Sequence, residues 1–201
     1  MAKLDFTEIN DEMERILGDA QTLIEKVKAM NQSDTKLLPI LQGPYKWGNS
    51  SRKKLEGHYA STADSSQPAH PDLVKIVSRA LSYGLMNMSV ICVYRGKSEQ
   101  NQAFIAEKSE KQFPDSIHNN IDEDGFVCAI DVAPYVNGKV CWNRGQCCIM
   151  VGLCLAAGKE LLASGEVTHE VRSGANWDMD GEFLTDQKLD DIVHLELVKK
   201  D

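Results

Sequence analysis

The sequence has no excess of basic residues and few aromatic ones. Its 201 residues include 22 lysines and arginines against 30 acidic residues, which gives a formal net charge of -8 at pH 7, and aromatic residues make up only 6%. The basic residues are scattered along the chain and form no stripe interleaved with aromatic residues. Because such a stripe is typical of nucleic-acid-binding proteins, we expect no nucleic-acid partner.

Long hydrophobic runs, a secretory signal and paired cysteine motifs are also missing. The most apolar run, 147–157, is shorter than the roughly 20 residues that cross a bilayer, so we expect no integral membrane segment. The N-terminus lacks the pattern of a signal peptide. The six cysteines, at positions 92, 128, 141, 147, 148 and 154, include no C-x-x-C pair. We therefore expect free thiols in a chain made in the cytoplasm.

The N-terminal part of the chain is predicted to be a helical appendage. Over residues 7–30, apolar residues recur at spacings of three and four, which is typical of an amphipathic helix. They are Ile9, Met13, Ile16, Leu17, Ala20, Leu23, Ile24 and Val27. We predict an amphipathic helix and linker over residues 1–49 and a single globular domain over residues 50–201. The apolar face of the helix needs a partner, which is either its own domain, a second copy or another protein.

The pattern of elements after residue 70 favours an α+β fold. Helices are predicted at 71–83, 98–111 and 146–163, and strands at 88–94, 126–133, 167–172 and 192–198. Asn137-Gly138 lies between two short β runs, which is the strongest local signal for a hairpin. Since helices and strands do not alternate strictly and a hairpin is present, we expect a mainly antiparallel sheet backed by helices.

An aspartate in an apolar strand is the most unusual feature of the sequence. Asp131 shares its face of the predicted strand with two alanines, and a carboxylate there is costly unless it is paired or binds a metal. His118 precedes this strand and His194 lies in the last one. Two histidines and one carboxylate make up a catalytic zinc set that leaves the fourth position to water. The alternative is a hydrogen-bonded core aspartate and two ordinary histidines, and spacing alone does not decide between them.

Five segments, taken in order, resemble the zinc-dependent peptidoglycan peptidases of the VanY/D-alanyl-D-alanine carboxypeptidase group, and within it the phage L-alanyl-D-glutamate endopeptidases. They include a Ser-x-His motif and an Asp-x-x-His motif. The segments are 51–57 with 70–74, 94–100, 116–119, 129–142 and 191–197. The resemblance covers residues 50–198. Insertions at 58–69 and 119–126, the second of them acidic, depart from the family pattern, and residues 1–49 match nothing in it.

The resemblance implies a hedgehog/D-Ala-D-Ala-peptidase-like α+β fold and a zinc site. It assigns His118, Asp131 and His194 as the ligands of Zn²⁺. It also assigns Asp191, three residues before His194, as the general base. Asp190 is the alternative base if the register of the last strand differs by one residue.

The resemblance further implies a set of residues around the zinc site. Arg95 would stabilise the carbonyl oxygen of the substrate or bind one of its carboxylates, and is counted as catalytic. Gln100, Ser116 and Trp177 are expected to contact the substrate, with a core position as the alternative for Trp177. Glu196 follows His194 by two residues, so both side chains are expected on the same face of the strand. Glu196 would there either support that ligand or be exposed.

The expected function is that of a zinc-dependent peptidoglycan hydrolase that cleaves the stem peptide, foremost at the L-Ala–D-Glu bond, as a bacteriolytic phage lysin. One alternative is a D,D-carboxypeptidase that removes D-Ala from the same peptide. Another is a non-catalytic protein of a virion or cell wall that retains the zinc fold. In the absence of a signal peptide, the protein would reach the wall through holin pores or with a virion.

Overall fold

The computed structural model describes residues 47–48, 51–57, 67–183 and 190–198. The helix predicted at 7–30, most of its linker and most of the insertion at 58–69 lie outside these residues. The family-like segments that carry His118, Asp131 and His194 all lie within them.

Four helices and five strands form the described part of the chain, joined in the predicted order. The helices are α1 (Ser51–Leu55), α2 (Pro71–Ser82), α3 (Lys97–Ile105) and α4 (Arg144–Ser164). The strands are β1 (Met88–Cys92), β2 (Ala129–Val136), β3 (Lys139–Val140), β4 (Glu170–Gly174) and β5 (Asp191–Val198). A short 3₁₀ turn, Ile117–Asn119, lies between α3 and β2.

Two element boundaries differ from the prediction for identifiable reasons. Helix α3 was expected to continue to residue 111 but ends at Ile105, and Glu107 then adopts a left-handed φ of 55°, a conformation that closes helices. Strand β4 was expected from residue 167 but begins at Glu170. The backbone N–H groups of Thr168 and His169 donate to the carboxylate of Asp72, so they do not enter the sheet.

The sheet is antiparallel, and the predicted α+β fold is confirmed. Its strand order is β1-β2-β5-β4, and β3 pairs with β2 as a hairpin. The turn of this hairpin is Asn137-Gly138, with φ values of 50° and 78°, as its Asn-Gly sequence predicts. In the register of the sheet, Asp131 lies opposite Cys92 on one side and His194 on the other.

The two faces of the sheet have different chemistry. Ile130 and Val132 of β2, together with Leu195 of β5, belong to the core formed with α2 and α4. Because successive side chains of a strand point to opposite faces, Asp131 and His194 project from the face that α2 and α4 do not cover. The alternation that predicted the strands therefore also separates the core from the polar site.

Helix α4 is the main helix of the core. By length and composition it is apolar enough to cross a membrane, with a mean hydropathy of 1.6, but core helices of soluble proteins share this property. Its buried residues Met150, Val151, Cys154, Ala157 and Leu161 belong to the same core as the strands. All six cysteines are free thiols, and Cys147 and Cys154 are buried.

The N-terminus of α2 is capped by a histidine. Nδ1 of His70 accepts a hydrogen bond of 3.0 Å from the backbone N–H of Asp72. Asp72 in turn accepts from Nδ1 of His169 at 2.9 Å, and Nε2 of His70 lies 3.8 Å from a carboxylate oxygen of Asp122 in the acidic insertion. Burial lowers the pKa of His70, and the nearby carboxylates only partly oppose this effect. The cap therefore depends on a neutral imidazole.

We expect the His70 cap to make the fold sensitive to mild acid. Since the folded-state pKa of His70 lies below its unfolded value of about 6.5, its contribution is complete above that pH and is lost as the pH falls through the folded-state pKa. Asparagine also accepts at a helix N-cap but does not titrate. His70→Asn should therefore match the wild type in its free energy of unfolding at about pH 8 and lose less of it on acidification.

The measurement is urea-induced unfolding at several pH values. His70→Ala serves as the control for loss of the cap: it should be less stable than the wild type at about pH 8, by about 0.5–2 kcal/mol, and this difference should disappear on acidification. An identical pH dependence for the wild type and His70→Asn would contradict this account of the cap.

Candidate metal centre and active site

The three predicted metal ligands lie together on the face of the sheet that α2 and α4 do not cover. Nε2 of His118, Oδ1 of Asp131 and Nδ1 of His194 form a triangle with sides of 3.1 Å, which we call the ligand triangle. Its residues are 3%, 7% and 3% exposed, respectively. Ligand atoms around a tetrahedral zinc ion with bonds of about 2.0–2.1 Å stand roughly 3.3–3.4 Å apart. The ligand triangle therefore fits a zinc ion in both spacing and chemistry.

The second nitrogen of each histidine has an acceptor. Nδ1 of His118 lies 2.7 Å from the carbonyl oxygen of Val93, and Nε2 of His194 lies 3.0 Å from Oε2 of Glu196. Because carbonyl and carboxylate oxygens only accept hydrogen bonds, the ring nitrogens that face them carry the hydrogen. The lone pairs of the other two nitrogens are left for the ligand triangle, as is usual for histidines that bind metals.

Local structure positions His118. It lies in the 3₁₀ turn Ile117–Asn119, where Oγ of Ser116 accepts from its backbone N–H at 3.4 Å. Its carbonyl oxygen accepts from the backbone N–H of Arg95 at 3.1 Å, which joins this turn to the segment after β1. Ser116 lines a cleft of about 610 Å³ beside the ligand triangle. It is also buried, and its hydroxyl orients the turn that carries His118.

The charges of the ligand triangle stabilise one another. Burial raises the pKa of Asp131, but His118 and His194 outweigh burial and hold this pKa well below its usual range. Burial lowers the pKa of His118, yet Asp131 outweighs it and holds that pKa well above the usual value. Nη2 of Arg95 lies 3.2 Å from Oδ2 of Asp131 and adds a further positive charge. Asp131 is consequently a stable anion in spite of its burial.

The two neighbouring aspartates at the start of β5 have different surroundings. A carboxylate oxygen of Asp191 lies within 4.8 Å of ligand atoms of Asp131 and His194, and Asp191 lines the cleft. Asp190 is paired instead with Nη2 of Arg144, at 2.9 Å. Burial first, and the negative charge of Asp131 second, raise the pKa of Asp191. A carboxyl group with a raised pKa beside the ligand triangle is suited to take up and release a proton.

Arg95 is held in place by Gln100, whose position corrects a prediction. Oε1 of Gln100 accepts from Nη1 of Arg95 at 3.1 Å, and its Nε2 donates to Oγ of Ser109 and to the carbonyl oxygen of Lys111. The side chain of Gln100 is completely buried. It therefore does not reach the cleft as a substrate contact would, and instead orients the guanidinium group of Arg95.

Two clefts meet at Arg95. One, of about 610 Å³, is lined by Ser116, His118, Trp177, Asp191 and His194 among others. The other, of about 620 Å³, is lined by Lys54, Cys92, Arg95, Glu99 and Asp131 among others. The half-buried ring of Trp177 has its centroid 5.1 Å from that of His194. Trp177 thus forms part of the cleft wall rather than of the core.

Sequence reasoning missed two residues of the site. Arg172 lies on β4 behind His194 and lines the first cleft. Sγ of Cys92 lies within 4.8 Å of ligand atoms of His118 and Asp131. The alternation of side chains along β4 predicts only which face of the strand carries Arg172. Its proximity to β5 depends on the order of the strands in the sheet. Cys92 lies opposite Asp131 across a bulge in β1, which no local pattern indicated.

Comparison with known proteins gives consistent results. The sequence profile of a family described as phage L-alanyl-D-glutamate peptidase matches residues 44–198. The L-alanyl-D-glutamate peptidase of Escherichia phage T5 is 29% identical over 157 residues, which cover 77% of this chain and 98% of the phage protein. The crystal structure of the L-Ala D-Glu endopeptidase ChiX of Serratia marcescens is similar in fold, with a TM-score of 0.53 and 24% identity, over 76% of this chain and 90% of that one.

Proposed function

The chain belongs to the phage L-alanyl-D-glutamate peptidase family, and from this membership we propose that it is a zinc-dependent peptidoglycan hydrolase. It cleaves the stem peptide between L-Ala and D-Glu, as a phage lysin acting on the cell wall. The observation that carries the proposal is the ligand triangle, in which two histidine nitrogens and one carboxylate oxygen lie 3.1 Å apart. Three protein ligands and an open position are typical of catalytic zinc sites.

The residues of the ligand triangle fit zinc in the orientation of their donor atoms. Because the other ring nitrogens donate to Val93 and Glu196, Nε2 of His118 and Nδ1 of His194 face the centre, where zinc would replace the proton that Asp131 favours on each ring. Asp131 supplies an ionised carboxylate. These three residues would hold the zinc ion, which would supply a bound water of lowered pKa and a positive charge that polarises the carbonyl group of the substrate.

Asp191 carries the proton in the proposed reaction. The attacking water forms a new C–O bond at the peptide carbonyl and gives up a proton to the carboxylate of Asp191. The C–N bond then breaks, and Asp191 returns the proton to the leaving amine. The position of Asp191 beside Asp131 and His194 suits both steps, because the group must be an acceptor in the first and a donor in the second.

Arg95 and Trp177 act on the substrate. The guanidinium group of Arg95, fixed by Gln100 and Asp131, stabilises the negative charge that develops on the carbonyl oxygen or binds a carboxylate of the peptide. Trp177 forms the apolar side of the cleft. The choice of an endopeptidase over a carboxypeptidase rests on the family, which is described as phage L-alanyl-D-glutamate peptidase.

We expect the zinc content of the purified protein to depend on each residue of the ligand triangle. The wild type should contain about one zinc ion per chain. His118→Ala, Asp131→Ala and His194→Ala should each lose it, because a single missing ligand lowers zinc affinity strongly. Elemental analysis after dialysis measures the zinc. His169→Ala, a histidine outside the ligand triangle, is the matched control and should keep it. Full zinc occupancy in any of the three variants would contradict the assignment of that ligand.

We expect Asp191→Asn to separate the chemistry from metal binding. This variant should keep its fold and its zinc but lose about 10²–10⁴ in kcat, the usual contribution of a positioned acid–base group. Asp190→Asn is the matched control and should be nearly as active as the wild type, because Asp190 pairs with Arg144. The assay is digestion of purified muropeptides, with the products identified by mass spectrometry. A zinc-loaded and fully active Asp191→Asn would rule out the mechanism, and release of D-Ala alone would favour the carboxypeptidase.

A further inference from the structure

Four side chains form a closed circuit of contacts along the wall of the cleft. Oε1 of Glu196 accepts from Nε of Arg172 at 2.6 Å and lies 2.5 Å from Nη2, and its Oε2 accepts from Nε2 of His194 at 3.0 Å. Nη1 of Arg172 donates to the backbone carbonyl of Trp177 at 2.8 Å. The ring of Trp177 lies against that of His194, with centroids 5.1 Å apart. The circuit joins a residue of the ligand triangle to the wall of the cleft.

The strand register places this circuit, and burial makes it stable. Arg172 on β4 lies directly opposite Glu196 on β5, and His194 is two residues from Glu196 on the same face. Glu196 is only 5% exposed, where an unpaired carboxylate would be costly. Both of its oxygens have donors, and removing Arg172 would leave the buried negative charge without its permanently positive partner.

Arg172 makes three of these contacts with one planar group. Its Nε donates to Glu196, its Nη2 forms an ion pair with the same oxygen, and its Nη1 donates to Trp177, while its Cζ lies 5.8 Å from the centroid of the Trp177 ring. A lysine has one ammonium group on a flexible stem and cannot reproduce this fork. The arrangement therefore depends on the shape of the arginine as well as on its charge.

We propose that Arg172 is a positioning residue that controls the metal ligand and the substrate wall together. Through Glu196 it keeps His194 in the tautomer that leaves Nδ1 free for the ligand triangle. Through the carbonyl of Trp177 it holds that ring against the cleft. The inference rests on the proposed function, since it takes the ligand triangle to be the metal centre and Trp177 to contact the peptide.

The proposal predicts different effects for the other three members of the circuit. Glu196→Gln should weaken zinc affinity about 10–100-fold, the usual effect of removing a carboxylate that supports a metal-bound histidine, and should leave the KM for muropeptides unchanged. Trp177→Leu should raise KM and leave zinc affinity unchanged. Arg172→Lys should do both. In the double variant Arg172→Lys/Glu196→Gln, zinc affinity should be no lower than in whichever single variant binds zinc less tightly, because the two residues act through one contact.

The experiment uses the full chain and three readouts. Zinc affinity is measured by competition with a chelator, and KM and kcat are measured on muropeptides at saturating zinc. The tautomer of His194 is read from nitrogen-15 NMR of the histidine rings of the metal-free protein, at a pH above the raised pKa of His194, and this readout needs neither zinc nor activity. Arg144→Lys is the matched control, because this exposed arginine pairs with Asp190 outside the circuit, and it should leave all three readouts unchanged.

The outcomes separate this proposal from the proposed function. A wild type that binds no zinc, or cleaves no muropeptide, counts against the function itself. If the wild type does both and Arg172→Lys behaves as Arg144→Lys does, the role of Arg172 is overturned. Glu196→Gln tests the same contact from the other side. An unchanged His194 tautomer and zinc affinity in that variant overturn the proposal even if Arg172→Lys fails to fold.

Discussion

Asp131 places a negative charge in the middle of the sheet, where it is only 7% exposed. A buried carboxylate is tolerated only with compensating partners, and here three are within 3.2 Å: Arg95, His118 and His194. Each partner comes from a different part of the chain, namely the segment after β1, the turn before β2, and β5. The charge of Asp131 thus links three segments that a purely apolar strand would not hold together.

The residues of the ligand triangle and Arg95 are in turn held in place by neighbouring groups. Val93 and Glu196 fix the two histidine rings, and Gln100 fixes Arg95. Arg172 then compensates the charge of Glu196. The buried carboxylates of Asp131 and Glu196 each have partners of opposite charge or hydrogen-bond donors, so the histidines and Arg95 are held in fixed orientations. This kind of preorganisation favours catalysis, because charge stabilisation then requires no rearrangement during the reaction.

The sequence predicted the elements and the ligand triangle better than the surroundings of the site. The alternation around Asp131 and the Asn137-Gly138 turn are local signals, and both correspond to the structure. The contact between Arg172 and Glu196 depends on β4 lying next to β5, which no local pattern encodes. Gln100 was misplaced because its neighbours on α3 are polar and gave no indication that this position is buried. The His70 cap required knowledge of which side chain faces the first turn of α2.

The account as a whole requires that one zinc ion bind within the ligand triangle. Anomalous diffraction at the zinc absorption edge, from crystals of the zinc-loaded protein, tests this requirement most directly. We predict a single strong peak between Nε2 of His118, Oδ1 of Asp131 and Nδ1 of His194, at bond lengths of about 2.0–2.2 Å. A peak located instead at a cysteine or at His70, or no peak in the ligand triangle of a zinc-loaded and active protein, would contradict the account.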